Sequence, residues 1–283
     1  MRKELIWVAI IGISFGLVIA FGFWRINANL KPKGTSTQKT PQPKTVNSEF
    51  KIALNKPDNN DVITASPMPI SGITKPLSWI VISGEENDYI IQADEKGEFK
   101  QDVDLVSGIN QIKITAFDAA GSQSVEKVLV VYSSAFETDE KIVSKPKAYI
   151  GTVTDITDST IQIKIGGEIK QISTSDKVTV IKTGTTNKTV KLTDIAIGDF
   201  IVAMGYINSS SVLNSQRILI TDPITEPKIE AKMGTISDID KKATLSKALK
   251  TKLKTIKDDE EIVFVVSQEK DVLMLRFVAK LDK

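Results

Sequence analysis

The chain of 283 residues contains no cysteine and no histidine. Without cysteine, no disulfide can hold the fold and no thiolate is available as a nucleophile. Without histidine, Ser-His-Asp and Cys-His chemistry, a histidine general base and ordinary zinc sites are all excluded. An excess of charge of one sign is also lacking. The 37 Lys and Arg stand against 35 Asp and Glu, a net charge of +2, which argues against a general polyanion binder. Aromatic residues make up only 6% of the chain, and several fall in one short run near the N-terminus, so few remain to stack on a ligand.

What is present begins with that run. From Leu5 to Trp24, twenty consecutive residues carry no charge. A helix of this length reaches about 30 Å, the thickness of a bilayer's hydrocarbon core. Two readings compete: a signal cleaved near Ala20-Phe21-Gly22, or an uncleaved transmembrane signal anchor within residues 1–26. The length of the run and the bulky Phe23-Trp24 at its end favour the anchor. Only four residues precede it, so a short tail lies in the cytoplasm and the bulk of the chain is extracytoplasmic, on a single pass of the cell membrane. Gly12 and Gly16 form a GxxxG pattern, which would permit weak self-association of two such helices, although lipid-facing glycine is the ordinary alternative.

Residues 27–49 are polar, with Pro32, Pro41, Pro43 and four lysines. They read as a flexible linker reaching about 25 Å as a coil. From residue 50 to 132 short period-two runs recur about every ten residues. Turn signals separate them: Asp58-Asn59-Asn60, Ser83-Gly84, Lys96-Gly97, Ser107-Gly108 and Ala120-Gly121. This pattern predicts a β-sandwich of about seven strands. Gly97 permits a tight turn and Phe99 fills the core. Gly108-Ile109-Asn110 turns the next hairpin, and Asp118 binds backbone amides of the turn ending at Gly121.

Three stretches of this segment carry a resemblance: ISGIT at 70–74, GEFKQDVDLVSGINQIKITAFDAAG at 97–121, and the closing VLVVY at 128–132. They resemble bacterial immunoglobulin-like modules, closest to the accessory domain found beside some secreted glucan-degrading enzymes. The resemblance implies a spacer or attachment role, without catalysis. A second linker spans 133–147. A β-rich segment follows over 148–222, with runs at 149–156, 160–165, 169–173, 178–182, 200–207 and 213–220. Its IGTVTDITDSTIQIKI and LTDIAIGDFIVAMGYI stretches resemble a small OB-like β-barrel family of bacterial envelope proteins. The fold class expected is therefore mainly β: an N-terminal transmembrane helix, an immunoglobulin-like sandwich and OB-like units.

Residues 228–283 read as a shortened repeat of the OB-like unit. Ile150 to Ile156 matches Met233 to Ile239, residues 198–202 match 260–264, and 217–219 match 276–278. Pro223 and Pro227 mark the joint. Two such units are either packed together or strung in series. Leu245, Ala248, Leu249, Leu253 and Ile256 recur at helical spacing, in a stretch that reads as helix or strand.

Several constellations invite chemistry, and each has a plainer reading. Seven lysines between Lys241 and Lys257 suggest nucleic acid beside an OB-like barrel. No aromatic interleaves them and acids follow at once, so a solvated face without nucleic acid is the preferred reading. Asp58 and Asp61 offer hard ligands for calcium but lack a known loop spacing, and a turn explains them. Ser124/Lys127 and Ser144/Lys147 have S-x-x-K spacing without a helix. Asp102 and Asp104 lie two apart on a strand, not in a glycosidase cleft. Trp79 is the one candidate ligand contact, as a platform for a sugar ring, against ordinary packing. No catalytic residue, metal ligand or cofactor is expected. The function expected is a membrane-anchored, non-enzymatic scaffold, spacer or adhesion module at the cell envelope. The alternative is an accessory protein binding envelope polysaccharide or peptidoglycan.

Overall fold

Alternating apolar residues build two sheets with a single core between them. In the computed structural model, which describes residues 50–138 and 143–281, one sheet holds β1 (Ala53–Lys56), β3 (Met68–Ile73) and β6 (Glu98–Val103). The other has the order β2-β8-β7-β4-β5, with β2 Val62–Ile63, β4 Trp79–Ser83, β5 Asp88–Gln92, β7 Gly108–Phe117 and β8 Gln123–Tyr132. Ile70, Ile80, Ile82, Ile114 and Val130 are fully buried between the sheets, with Phe99 beside them at 6% exposure. The sandwich has eight strands. The extra one, β2, is a two-residue strand that pairs parallel with β8 and is too short to show a period.

The turn residues act as their chemistry predicts. Gly97 has φ +84°, and a Cβ there would lie 2.1 Å from the Thr74 carbonyl oxygen. Asp118 accepts hydrogen bonds from the amides of Ala120 (3.0 Å) and Ser122 (2.9 Å). Buried Asn110 accepts from the Val106 amide at 2.8 Å and donates to the carbonyls of Val106 and Gly108, which pins the start of β7.

The next segment closes a five-stranded barrel from β9 (Lys147–Thr157), β10 (Thr160–Ile165), β11 (Glu168–Ser173), β14 (Phe200–Ile207) and β15 (Leu213–Thr221). β9 pairs antiparallel with β10 and β14, β10 with β11 and β14 with β15. The ring closes through a parallel pairing of β11 with β15 at Ile172 and Leu213. Ile163, Ile172, Ile201, Ala203 and Leu213 fill it. The hairpin β12 (Thr179–Lys182) and β13 (Lys188–Val190) extends the sheet beyond β15.

The C-terminal segment forms the antiparallel sheet β16 (Lys228–Gly234), β17 (Ile262–Glu269) and β18 (Val272–Lys280). Its ambiguous stretch is helix: α1 (Lys247–Leu253) is capped by Ser246, whose hydroxyl accepts from the Leu249 amide. Leu249 and Leu253 pack with Ile256, Phe264 and Val278.

This sheet repeats three strands of the barrel. Gly151 on β9 faces Ile201, and Gly234 on β16 faces Ile262, so Gly151 corresponds to Gly234 and Ile201 to Ile262. The sequence match of 198–202 with 260–264 is thus one residue out of register. Both hairpins carry a β-bulge at the same place. Met204 faces Arg217 and Gly205 faces Ser215, just as Val265 faces Phe277 and Val266 faces Leu275. Gln216 and Arg276 occupy the bulges, and the true counterpart of Arg217 is Phe277. The match of 150–156 to 233–239 also parts after the glycine. Residues 152–156 continue as strand, whereas Ile236–Asp238 is a 3-10 turn, with Asp238 Oδ2 accepting from the Thr235 amide at 2.7 Å. That turn matches the Leu192–Asp194 turn, where Asp194 Oδ2 accepts from the Lys191 amide at 2.8 Å.

Residues 49–283 form one compact unit, so the three β-units are packed and not strung out. The run from Leu5 to Trp24, with Gly12 and Gly16, and the linker at 27–49 lie outside the described residues. Among the described residues, no helix is long and apolar enough to cross a membrane.

Candidate functional site

Both copies of the repeat pack on the outer face of the five-stranded sheet. Period two turns Trp79, Val81, Ile109, Gln111, Lys113, Phe117, Leu129 and Val131 away from the sandwich core. At the β2–β8 end, Val62, Val131, Ile109 and Leu129 meet Ala148, Ile150, Val202 and Met204 of the barrel. At the β4–β5 end, Trp79, Val81, Ile90 and Phe117 meet Ala231, Met233, Val263 and Val265 of the C-terminal sheet. By the register above, Ala148, Ile150, Val202 and Met204 are the counterparts of Ala231, Met233, Val263 and Val265. Both copies therefore dock through the same face, side by side, onto one sheet. Fully burying a side chain of this size contributes about 1.5–3 kcal/mol, so each dock holds by hydrophobic burial.

Polar contacts fix the docks. Phe136, in the segment read as a linker, is buried against Tyr206 with ring centroids 6.2 Å apart. The Ala148 amide donates to the Asn60 carbonyl at 2.8 Å. Between the copies, Gln111 Nε2 donates to the Thr225 carbonyl (3.0 Å), Lys113 Nζ to the Ile229 carbonyl (2.6 Å), and Lys127 pairs with Glu226. On the far side, Arg276 reaches from the bulge of β18 to the sandwich. Its Nε donates to Asp88 Oδ2 at 3.0 Å and its Nη2 to the Gly84 carbonyl at 2.9 Å. The Asp88 side chain is only 3% exposed. Burial pushes its carboxyl above the ordinary carboxylate range, against the opposing pull of Arg276.

Residues singled out in the sequence are placed as follows. Trp79 is half-buried in β4 and packs into the second dock. Asp61 pairs with Lys147 at 2.7 Å, and Asp58 lies 3.5 Å from the same ammonium, so lysines already neutralise these carboxylates. Lys127 is engaged by Glu226, and Lys147 by Asp61. Asp104 accepts from Asn87 and from the Tyr89 hydroxyl, at 3.1 and 2.8 Å. Asp102 is exposed on β6. The lysines between 241 and 257 are exposed on and around α1, with Lys252 Nζ 5.1 Å from the Phe277 ring centroid. Among the described residues, no group of three or more Asp or Glu is arranged to hold a metal ion.

Sequence reasoning missed Arg217 and Arg276 as site residues. The available signal was scarcity: beyond Arg25 they are the only arginines in a lysine-rich chain. Arg217 lines a crevice of about 350 Å³ between sandwich and barrel, together with Ile109, Ser133, Thr183, Asn187 and Thr221. Its Nε is buried without a hydrogen-bond partner, and burial alone lowers its pKa.

No family model and no characterised protein sequence matches the chain. Among solved structures it is similar to CopC from Methylosinus trichosporium OB3b, at 18% identity over 31% of this chain and 99% of that one, with a TM-score of 0.26. It is also similar to a tetra-tandem repeat from the extending region of a large adhesion protein, at 12% identity over 82% of this chain and 74% of that one, with a TM-score of 0.25. A third likeness is to a structure from a 1.5-MDa bacterial ice-binding adhesin, at 12% identity over 82% and 96%, with a TM-score of 0.21. TM-scores this low assign neither a family nor a function.

Proposed function

We propose that this chain is a membrane-anchored, extracytoplasmic and non-catalytic module that presents a fixed surface at the cell envelope, as a scaffold, spacer or adhesion unit. One observation carries the reading: two repeat copies dock by the same face onto one sandwich sheet, which makes residues 50–283 a single body and not a flexible string. A body of that kind suits holding a surface at a set place, and a tether to the bilayer raises its effective concentration there. The run from Leu5 to Trp24 supplies the anchor and residues 27–49 the tether. The absence of histidine and cysteine from the sequence favours position and surface over chemistry.

Two finer assignments support this reading. The placing of β1 in one sheet and β2 in the other, parallel to the last strand, supports reading the sandwich as immunoglobulin-like. Closure of the barrel through a parallel pairing of its third and fifth strands supports reading it as OB-like. A second reading, an accessory protein that binds envelope polysaccharide or peptidoglycan, is favoured by one feature, the crevice at Arg217. Protease added to intact cells tests the first reading and should remove residues 50–283, leaving a membrane-embedded N-terminal fragment. A soluble 50–283 fragment that performs the full biological role, or protection of the whole chain from protease, contradicts it.

A further inference from the structure

At one position of their shared docking face the two copies differ in charge. Phe277 packs into the second dock. Its counterpart in the first copy is Arg217, whose buried Nε–H has no acceptor. Arg217 is partly exposed and lines a crevice at the edge of the dock, and phenylalanine at the matching position shows that the second copy does without a cation there. No carboxylate lines the crevice; its polar walls are hydroxyls and an amide, from Ser107, Ser133, Thr183, Thr221 and Asn187. Its volume of about 350 Å³ falls in the range of small-ligand sites, roughly 300–1,000 Å³.

We propose that the crevice between the sandwich and the barrel binds a carboxylate-bearing sugar, with the Arg217 guanidinium on the carboxylate and the surrounding hydroxyl and amide groups on the sugar hydroxyls. The planar guanidinium that lines the crevice matches a carboxylate in a bidentate fashion through its Nη groups. A single lining cation fits one negative charge better than a phosphate dianion. Ile109 and Leu219 supply apolar wall for the ring face. The site rests on the second reading above and leaves the presenting role untouched.

The test is isothermal titration of the purified full-length chain in detergent with sodium glucuronate, glucose and sodium phosphate, on wild type, Arg217→Gln and Arg217→Lys. Glucuronate binding at least tenfold tighter than glucose or phosphate is expected. Arg217→Gln should lose at least tenfold in affinity and Arg217→Lys several-fold, with melting temperatures not lowered, since no native partner is lost. Equal binding of glucuronate and glucose, a preference for phosphate, or full affinity in Arg217→Gln overturns the proposal. A lowered melting temperature in both variants also overturns it, because it would make Arg217 structural. Co-sedimentation with isolated cell-wall polysaccharide separates the two readings. Pelleting that Arg217→Gln does not weaken removes this site and keeps the accessory role, and the absence of both pelleting and glucuronate binding removes both.

Discussion

In the first copy, β9 runs on past Gly151 into β10 and β11, and the sheet closes on itself. In the second, the chain leaves β16 at Gly234, takes a capped 3-10 turn and covers the open sheet with α1. The three strands that meet the sandwich are the same in both, down to the bulge. What differs is how the opposite face is sealed: by a barrel interior around Ile163 and Ile201, or by a short helix over Phe264. The docking face is thus the constrained part of the repeat, and the far side is free to be rebuilt. Phe264 stands where the barrel has Ala203, since the second copy must fill with one large side chain the space that two further strands fill in the first.

The largest expected effect follows from that substitution of means. Phe264→Ala removes a buried aromatic, at 2% exposure, and should cost about 3–5 kcal/mol in denaturant unfolding. A loss under about 1 kcal/mol would show that α1 does not depend on it. Arg276→Ala comes next. It strands the buried Asp88 carboxylate, at a cost of about 3 kcal/mol, and Asp88→Asn in the same chain should recover most of the loss. Because burial raises the Asp88 carboxyl in the folded protein, the folded state holds its proton more tightly than the unfolded one. Stability from this group is therefore present below the unfolded carboxyl pKa and falls as pH rises through the folded one. Subtracting the Asp88→Asn pH–stability curve from the wild-type curve should show that decline; a rise would contradict the assignment.

Smaller effects sharpen the pairing of glycines. A Cβ on Gly151 would lie 2.3 Å from the Lys164 carbonyl oxygen, backbone of β10, whereas on Gly234 it meets the Asp238 side chain at 2.5 Å. Gly151→Ala should cost about 1–3 kcal/mol and Gly234→Ala less, since a side chain can swing where a ladder cannot. Equal costs would mean that the two glycines are not held alike. The smallest effect is Arg217→Phe, which gives the first copy the residue of the second. Thermal melts should show no loss, since the buried Nε of Arg217 has no partner to lose.

Much of the fold was legible in the sequence because half-buried strands alternate. Phe99, Gly97, Asn110 and Asp118 are placed as their chemistry predicts. The two-residue β2 and the three-residue β13 were too short to carry a period. The docks were signalled, but by a pattern that alternation overlooks. Ile80-Val81-Ile82, 128–131, 200–204 and 262–266 are continuous apolar runs, the mark of strands buried on both faces. The repeat is visible at Gly151 and Gly234, yet both hairpin strands align one residue out of register in the sequence: the identity of Arg217 and Arg276 misleads on one strand and the continuous apolar runs give no phase on the other, whereas the bulge sets the register. The Arg217 crevice was not legible at all, since the register and the packing of two distant segments create it.

Distance measurement reads most directly whether both copies and the sandwich form one body through matched faces. The chain has no cysteine, so pairs introduced at exposed Lys100, Lys164 and Lys250 take spin labels without background. Double electron–electron resonance on the full-length chain should give one narrow distance distribution for each of the three pairs. Broad distributions between Lys100 and either Lys164 or Lys250 would mean modules on tethers and would contradict the account.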